Sequence, residues 1–122
     1  MNQAQAQAYN AYKTNQVMTA PPKKLVTMLY DGAIKNLKLA EIALEEKDFV
    51  HVNTYLKKTQ DIITEFMTTL NYEAGGDVAK NLYQLYDYMY RRLIRANIAK
   101  DVEPIIEVKK YLEELRDTWA QI

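Results

Sequence analysis

The chain has 122 residues, a length that suffices for one hydrophobic core and is too short for two domains. Its 16 basic and 16 acidic side chains give no formal net charge, which argues against duplex nucleic acid as a partner because phosphate neutralisation supplies most of that affinity. It contains no cysteine, which excludes disulfides and thiolate chemistry. No stretch approaches the roughly 20 apolar residues of a membrane span, and the start of the chain has no signal-peptide pattern. We therefore expect a cytoplasmic protein.

The first 20 residues are rich in Ala, Gln and Asn and show no sustained apolar period. This composition predicts a mobile N-terminal arm over residues 1–20. Tyr12, Val17 and Met18 are apolar enough to dock on another surface. A docking arm and a disordered tail whose apolar residues have no role are both open at this point.

Four segments repeat their apolar residues at spacings of three and four, the pattern of a helix that buries one face. Pro21 and Pro22 mark the start of the first helix, since Pro is tolerated only in a first helical turn. Asp48, Asp77 and Asp101 are placed to cap the second, third and fourth helices, and the glycine pair in NYEAGG predicts a loop before the third. The predicted helices cover residues 22–46, 49–72, 78–99 and 102–121.

The links between these segments are short, which forces neighbouring helices to run antiparallel. The segments also match in length, at about 30 to 40 Å each for a rise of about 1.5 Å per residue. The sequence therefore predicts an all-α fold, an antiparallel up-down-up-down four-helix bundle over residues 21–122, preceded by the flexible arm. In the fourth helix the residues predicted to face the core are Ile105, Val108, Leu112, Leu115, Trp119 and Ile122.

The second and third predicted helices carry more apolar surface than one buried face needs, which for an ordinary surface helix is a stripe about 100° wide. In the third helix the residues predicted to hold the core are Leu82, Leu85, Met89 and Leu93. A second apolar strip consists of Tyr83, Tyr90 and Ile94, and the corresponding strip of the second helix consists of Tyr55, Ile62 and Phe66. Exposed apolar area of this size is a liability unless something covers it. The strips therefore predict a partner, with contact to other helices or to a second copy of the chain as open alternatives.

Residue types that carry catalysis are scarce. His51 is the only histidine, no Glu stands three residues before it, and the chain has no serine, which argues against a metal centre and a hydrolytic triad. The glycine pair lacks the spacing and the Lys of a phosphate-binding loop. We therefore predict that the protein is not an enzyme and needs no metal or cofactor.

The densest basic cluster is Arg91, Arg92 and Arg95, beside several tyrosines that bases of single-stranded RNA can stack on. Asp87 precedes Arg91 by one helical turn, however, an arrangement typical of a solvated face with a weak ion pair. We therefore expect Asp87, Arg91 and Arg95 to face water and predict no nucleic-acid partner. Tyr88 and Arg92 lie at the edge of this face, where the pattern does not decide.

Three segments resemble the flagellin-specific export chaperones of the FliS family. They are AYKTNQVMTAPPKKLVTMLYDGAIKNLKLA at residues 11–40, LNYEAGGDVAKNLYQLYDYMYRRLIRANIAKD at 70–101, and the closing EVKKYLEELRDTWAQI. LYDG after a Pro-led helix start, GG before a helix, LYDYMYRRL and a late Trp follow one another in the order of that family. This combination is more specific than any one of the motifs.

The resemblance implies a bundle that binds the C-terminal segment of flagellin in the cytoplasm, prevents its premature polymerisation and assists its delivery to the flagellar type III export apparatus. It also implies that Tyr12 contacts a component of the export gate and that the arm covers part of the apolar surface when substrate is absent. With the apolar strips, the residues expected to bind partners are Tyr12, Val17, Met18, Tyr55, Ile62, Phe66, Tyr83, Tyr90 and Ile94. The alternative is a structural bundle that self-associates through the same strips, or a homodimer of the substrate-free chaperone.

Overall fold

The computed structural model describes Gln3, Gln5, residues 23–70 and residues 72–121. The last two ranges form four long helices, which are α1 (Lys23–Glu45), α2 (Phe49–Thr69), α3 (Tyr72–Ala99) and α4 (Val102–Ala120). The predicted all-α fold is confirmed. The predicted arm residues Tyr12, Val17 and Met18 lie outside the described residues, as do Pro21, Pro22 and Ile122.

Polar contacts between α2 and α3 fix the relative direction of these helices. Asn97 Nδ2 donates to Asn53 Oδ1 at 2.8 Å, and Gln60 Nε2 donates to the carbonyl of Tyr90 at 3.4 Å. A later residue of α2 thus pairs with an earlier residue of α3, which means that the two helices are antiparallel.

Contacts between α1 and α4 show that these two helices are also antiparallel. Lys109 forms an ion pair with Glu41, and the indole Nε1 of Trp119 donates to the carbonyl of Lys23 at 3.1 Å. The start of α1 therefore lies beside the end of α4. Because α1 packs on α2 and α4, and α3 packs on α2 and α4, the helices close into the predicted up-down-up-down bundle.

The core forms along the predicted faces of the helices. Five residues predicted in α4 are buried, namely Ile105, Val108, Leu112, Leu115 and Trp119. In α3, Leu82, Met89 and Leu93 are fully buried as predicted. Leu85 is only partly buried and packs against the core from its edge.

Three aromatic rings from three helices form a layer inside the bundle. Phe66 stacks on Tyr30 with 4.4 Å between ring centroids and on Tyr86 with 5.5 Å. The two tyrosine hydroxyls lie 2.9 Å apart in a buried hydrogen bond. The prediction that Phe66 belongs to an exposed strip is therefore wrong, because its ring is fully buried between two helices.

Two short linkers at one end of the bundle share one design. Lys47 and Lys100 adopt positive φ angles of 58° and 52°. The next N–H groups, those of Asp48 and Asp101, reach back to the carbonyls of Ala43 and Ala96 at 2.8 and 3.1 Å, which is the Schellman ending of a helix. Each aspartate then caps the following helix, since its carboxylate accepts from the N–H of His51 or Glu103. The predicted N-caps Asp48 and Asp101 are confirmed, whereas the predicted N-cap Asp77 lies inside α3.

The start of α3 differs from the prediction of a loop through Gly76. Residues 72–75 form a helical turn, and Gly76 then interrupts the helix with φ 54° and ψ −132°. These angles belong to the first central position of a type II′ turn, which is dominated by Gly. The turn that begins at Tyr72 is thus joined to the rest of α3 through a bend that only Gly adopts without strain.

Candidate functional site

Two shallow cavities meet at Tyr83, the first along α3 and the second between α2 and α3. The first has a volume of about 500 Å³ and is lined by Tyr72, Gly76, Asp77, Lys80 and Tyr83. The second has a volume of about 270 Å³ and is lined by Thr64, Met67, Thr68, Tyr83, Asp87 and Tyr90. We call the two together the Tyr83 groove. Both present mostly apolar surface, the character expected of a site that binds apolar side chains.

The strip predicted on α3 lies along this groove. The Tyr83 side chain is 41% exposed and shared by both cavities. Tyr90 is half-buried in the second cavity, with its ring against the core. Ile94 is 41% exposed one turn beyond Tyr90. The structure therefore brings these three predicted residues to one side of α3.

Tyr55 and Ile62, predicted on α2, lie on the other side of that helix. Ile62 Cδ1 is 3.7 Å from the position that a Cβ on Gly32 of α1 would occupy. Tyr55 lines a small cavity between α1 and α2 with Leu39 and Ile42. We call this surface the Gly32 groove. The exposed residues between the two grooves on the outer face of α2 are Lys57, Lys58, Asp61 and Glu65. The predicted strips thus form two grooves separated by a polar ridge.

Sequence reasoning missed Tyr72, which lies at one end of the Tyr83 groove. Its ring meets that of Tyr83 edge-on with 6.0 Å between centroids, and its hydroxyl donates to the carbonyl of Met67 at 3.4 Å. Burial and the neighbouring Tyr83 raise the pKa of Tyr72. No helical period links Tyr72 to Tyr83, because Gly76 interrupts the helix between them.

The two residues left undecided by the pattern, Tyr88 and Arg92, both bind Glu107 of α4. The Tyr88 hydroxyl donates to Glu107 Oε2 and Arg92 Nε donates to Oε1, each at 2.7 Å. Burial alone raises the pKa of Glu107, but hydrogen bonds from Tyr88 and Arg92 and the arginine charge outweigh it and hold the pKa below the ordinary 4.5. The hydrogen bond to Glu107 raises the pKa of Tyr88. These residues join α3 to α4.

The predicted solvated face of α3 is confirmed for Arg91 and Arg95, whereas Asp87 is half-buried and lines the second cavity. Arg91 Nε lies 3.0 Å from Asp87 Oδ2, and the arginine side chain is 76% exposed. Arg95 is also exposed. Exposed pairs of this kind contribute about 0 to 1 kcal/mol.

His51 takes part in the cap of α2, with its Nδ1 at 2.6 Å from Asp48 Oδ2. In the described part of the chain, no three His, Cys, Asp or Glu side chains come together as a metal site would require. None of the helices over residues 23–70 and 72–121 is long and apolar enough to cross a membrane.

The fold and the site define a helical protein whose prominent feature is an apolar groove on a closed four-helix bundle. Comparison with known proteins identifies the family. The family model described as flagellar protein FliS matches residues 5–122. The chain belongs to the FliS family, whose members are chaperones and not enzymes.

Individual relatives cover most of both chains. The flagellar secretion chaperone FliS of Bacillus subtilis is 42% identical over 93% of this chain and 84% of its own length. The FliS chaperone of Salmonella typhimurium is 42% identical over 87% of this chain and 79% of its own. That of Campylobacter jejuni is 35% identical over 94% and 90%.

Proposed function

We propose that this protein is a cytoplasmic flagellar export chaperone that binds the C-terminal segment of flagellin, prevents its premature polymerisation and assists its delivery to the flagellar type III export apparatus. Its relatives are named flagellar secretion chaperones, which supports the general role. The observation that supports the binding role most is the mostly apolar Tyr83 groove, beside which Tyr83 and Ile94 are exposed. An otherwise compact bundle has a use for such surface only if a partner covers it.

A long, two-groove surface suits a disordered substrate. A flexible protein tail loses conformational entropy when it binds, so it needs contact distributed over many residues. A segment that follows the Tyr83 groove and crosses the polar ridge of α2 into the Gly32 groove would make contact of this kind. Tyr83, Tyr90 and Ile94 serve the first groove, and Tyr55 and Ile62 serve the second. Phe66 has no part in the surface, because it is buried.

The N-terminal arm has two proposed roles. Val17 and Met18 cover part of the apolar surface when flagellin is absent, which lowers the apparent affinity by competition. Tyr12 contacts a component of the export gate. The match to the family model begins at residue 5 and includes all three positions, which supports assigning them a role in the family's function.

Calorimetric titration with a flagellin C-terminal segment tests the binding role. Tyr83→Ala and Ile94→Ala should each weaken binding by about tenfold, since each removes a large apolar contact. Ile106→Ala is the matched control, because Ile106 is 49% exposed on α4 and lines neither groove. Equal effects of all three variants, or no binding by the native chain, would contradict the proposal.

Deleting residues 1–18 tests whether the arm competes with flagellin. If it does, the flagellin C-terminal segment should bind the shortened chain more tightly than the full chain.

Tyr12→Ala should leave flagellin binding intact and reduce flagellin export in flagellated cells. Light scattering of the chain with and without flagellin separates chaperone from structural bundle: a stable homo-oligomer, or a homodimer indifferent to flagellin, would favour self-association.

A further inference from the structure

A further cavity lies at the end of the bundle that holds both short linkers. Its volume is about 570 Å³, within the range of about 300 to 1,000 Å³ that is typical of ligand-binding pockets. The end of α1, the two linkers and the first residues of α2 and α4 line it. We call it the linker pocket. It shares no lining residue with the Tyr83 groove or the Gly32 groove.

The apolar part of the linker pocket consists of Leu44, Phe49 and Val102. Phe49 and Val102 are the first residues of α2 and α4, and each follows a capping aspartate. Phe49 is 47% exposed and Val102 is 39% exposed. Because large apolar side chains at this level of exposure gain from being covered, the pocket suits an apolar side chain of a partner.

Two of the carboxylates that line the linker pocket are already engaged. Glu41 forms an ion pair with Lys109, and Asp101 Oδ1 accepts from the N–H of Glu103 at 3.1 Å. Glu45 is exposed, and no ion pair within residues 23–70 and 72–121 includes it. Only Glu45 therefore presents an uncompensated negative charge to the pocket.

The two lysines of the linker pocket, Lys47 and Lys100, have no carboxylate partner among the described residues. Lys100 Nζ donates to Asn97 Oδ1 at 2.5 Å and lies 5.9 Å from the centroid of the Phe49 ring. Lys47 is exposed. The two ammonium groups exceed the single uncompensated carboxylate, so the pocket complements a partner that carries negative charge.

The backbone of the two lysines also supports a role for their side chains. Lys47 and Lys100 have φ angles of 58° and 52°, at a position of the helix ending where Gly is the usual residue. Residues kept in a strained conformation are often ones whose side chains function. The helix dipole favours a cation anywhere in the last turn, so it does not require a lysine at this strained position in both linkers.

We propose that the linker pocket binds an acidic segment of a partner protein, which places one large apolar side chain between Phe49 and Val102 and carboxylates beside Lys47 and Lys100. The pocket is distant from the surface proposed for flagellin, since the end of α3 is about 24 Å along the helix from Tyr83. The chaperone can therefore hold both partners at once. Nucleic acid and anionic membranes suit the pocket less well, because its three carboxylates repel a run of phosphates.

NMR titration with short designed peptides tests the chemistry of the pocket. The parent peptide has a central Phe with Asp on each side, and two matched peptides replace the Asp residues by Lys or the Phe by Ser. The parent should shift the backbone amide signals of Lys47, Phe49 and Lys100. It should bind about tenfold more tightly than either matched peptide, and salt should weaken its binding.

Three results of this titration would contradict the inference. They are equal or tighter binding of the Lys-flanked peptide, equal binding of the peptide without Phe, and tighter binding of phosphatidylglycerol vesicles or single-stranded oligo-dT than of the parent peptide. The last result would assign the lysines to a phosphate-bearing partner.

Substitutions in the full chain test the named residues. The double variant Lys47→Gly/Lys100→Gly removes both ammonium groups and relieves the backbone strain, so it should stay folded and bind the parent peptide about tenfold more weakly. Phe49→Ala should also weaken binding. The control is Lys57→Ala/Lys58→Ala, which removes two exposed lysines from the outer face of α2 and should leave binding unchanged. Equal losses in the two double variants would mean nonspecific charge attraction and refute the site.

Titration of the flagellin C-terminal segment separates this inference from the proposed function. Flagellin should bind the native chain and the Lys47→Gly/Lys100→Gly variant equally and should leave the parent peptide bound. Displacement of the peptide by flagellin would assign the pocket to the flagellin surface, and dissociation of a homodimer by the peptide would assign it to a second copy of the chain. Either result overturns the inference. A native chain that binds the peptides as expected but not flagellin would contradict the proposed function alone.

Discussion

Tyr30 and Tyr86 bury their rings in the core and join their hydroxyls at 2.9 Å. A buried hydroxyl loses water on folding, and the hydrogen bond offsets that loss. Tyr30→Phe and Tyr86→Phe should each lower the free energy of unfolding by about 1 kcal/mol. Both single variants remove the same hydrogen bond. The double variant should therefore lower the free energy of unfolding by less than the sum of the two single losses. Urea denaturation followed by Trp119 fluorescence measures this, and strictly additive losses would show that the hydroxyls do not interact.

Replacing Gly32 and Gly76 by Ala should change the free energy of unfolding in opposite directions. Gly32 lies inside α1, and a Cβ there would meet Ile62 Cδ1 at an ordinary 3.7 Å. Gly32→Ala should therefore raise the free energy of unfolding by about 0.5 to 1 kcal/mol. Gly76→Ala has open space but a positive φ of 54°, so it should lower the free energy by about 1 to 3 kcal/mol. Far-UV circular dichroism in urea checks both, and a stabilised Gly76→Ala would contradict the backbone argument.

The residues that were predicted and those that were not differ in what fixes their position. The buried face of α4 was predictable because Ile105 through Trp119 repeat at three and four, which only one helical face satisfies. The burial of Tyr30 and Phe66 was not predictable, because their rings are buried by contacts with each other and with Tyr86. Tyr86 lies 56 residues from Tyr30 in the sequence. No local period carries that information.

At the scale of elements, the two linkers hold lysines in a conformation that suits Gly. Lys47 and Lys100 have φ angles of 58° and 52°, which for residues with a Cβ costs roughly 1 to 2 kcal/mol. Lys47→Gly and Lys100→Gly should each raise the midpoint of urea denaturation by the equivalent of about 1 kcal/mol. Lys47→Ala is the control, since it removes the charge and keeps the strain. Stabilisation by Ala as large as by Gly would mean that charge, and not backbone conformation, is the cause.

The contacts of Glu107 in α4 with Tyr88 and Arg92 in α3 should weaken in acid. The folded-state pKa of Glu107 lies below its ordinary value of 4.5. Its contribution to stability is therefore present above that value and lost as the pH falls through the folded-state pKa. Partial exposure limits the effect to at most about 1 kcal/mol. Unfolding measured from about pH 6 down to about pH 3 should show a shallower loss in Glu107→Gln than in the native chain. Identical profiles would contradict this role for Glu107.

At the scale of the whole molecule, the bundle was predictable and the shape of its binding surface was only partly so. Helix lengths and short links determine the up-down-up-down order. The sequence does not say which neighbouring helix each apolar strip faces. In the structure, Tyr55 and Ile62 of α2 face α1, and the strip of α3 faces α2. Which groove a strip joins depends on how the neighbouring helix packs, as the contact of Ile62 with the Gly32 position illustrates.

The proposed binding surface, the two grooves on either side of α2, does not compete with the core of the bundle. The side chains that hold the bundle together, such as Leu82 and Met89, are fully buried. Tyr83 and Ile94 contact solvent instead. Under the proposed function, a substrate can therefore bind and leave without opening the bundle.

We propose that flagellin binds along the grooves beside α2. Methyl NMR of selectively labelled isoleucines tests it most directly, because Ile62 and Ile94 report on the two grooves and Ile106 on the exposed face of α4. Addition of a flagellin C-terminal segment should shift the methyl signals of Ile62 and Ile94 and leave that of Ile106 in place. A shift of Ile106 with unchanged Ile62 and Ile94 would contradict the account.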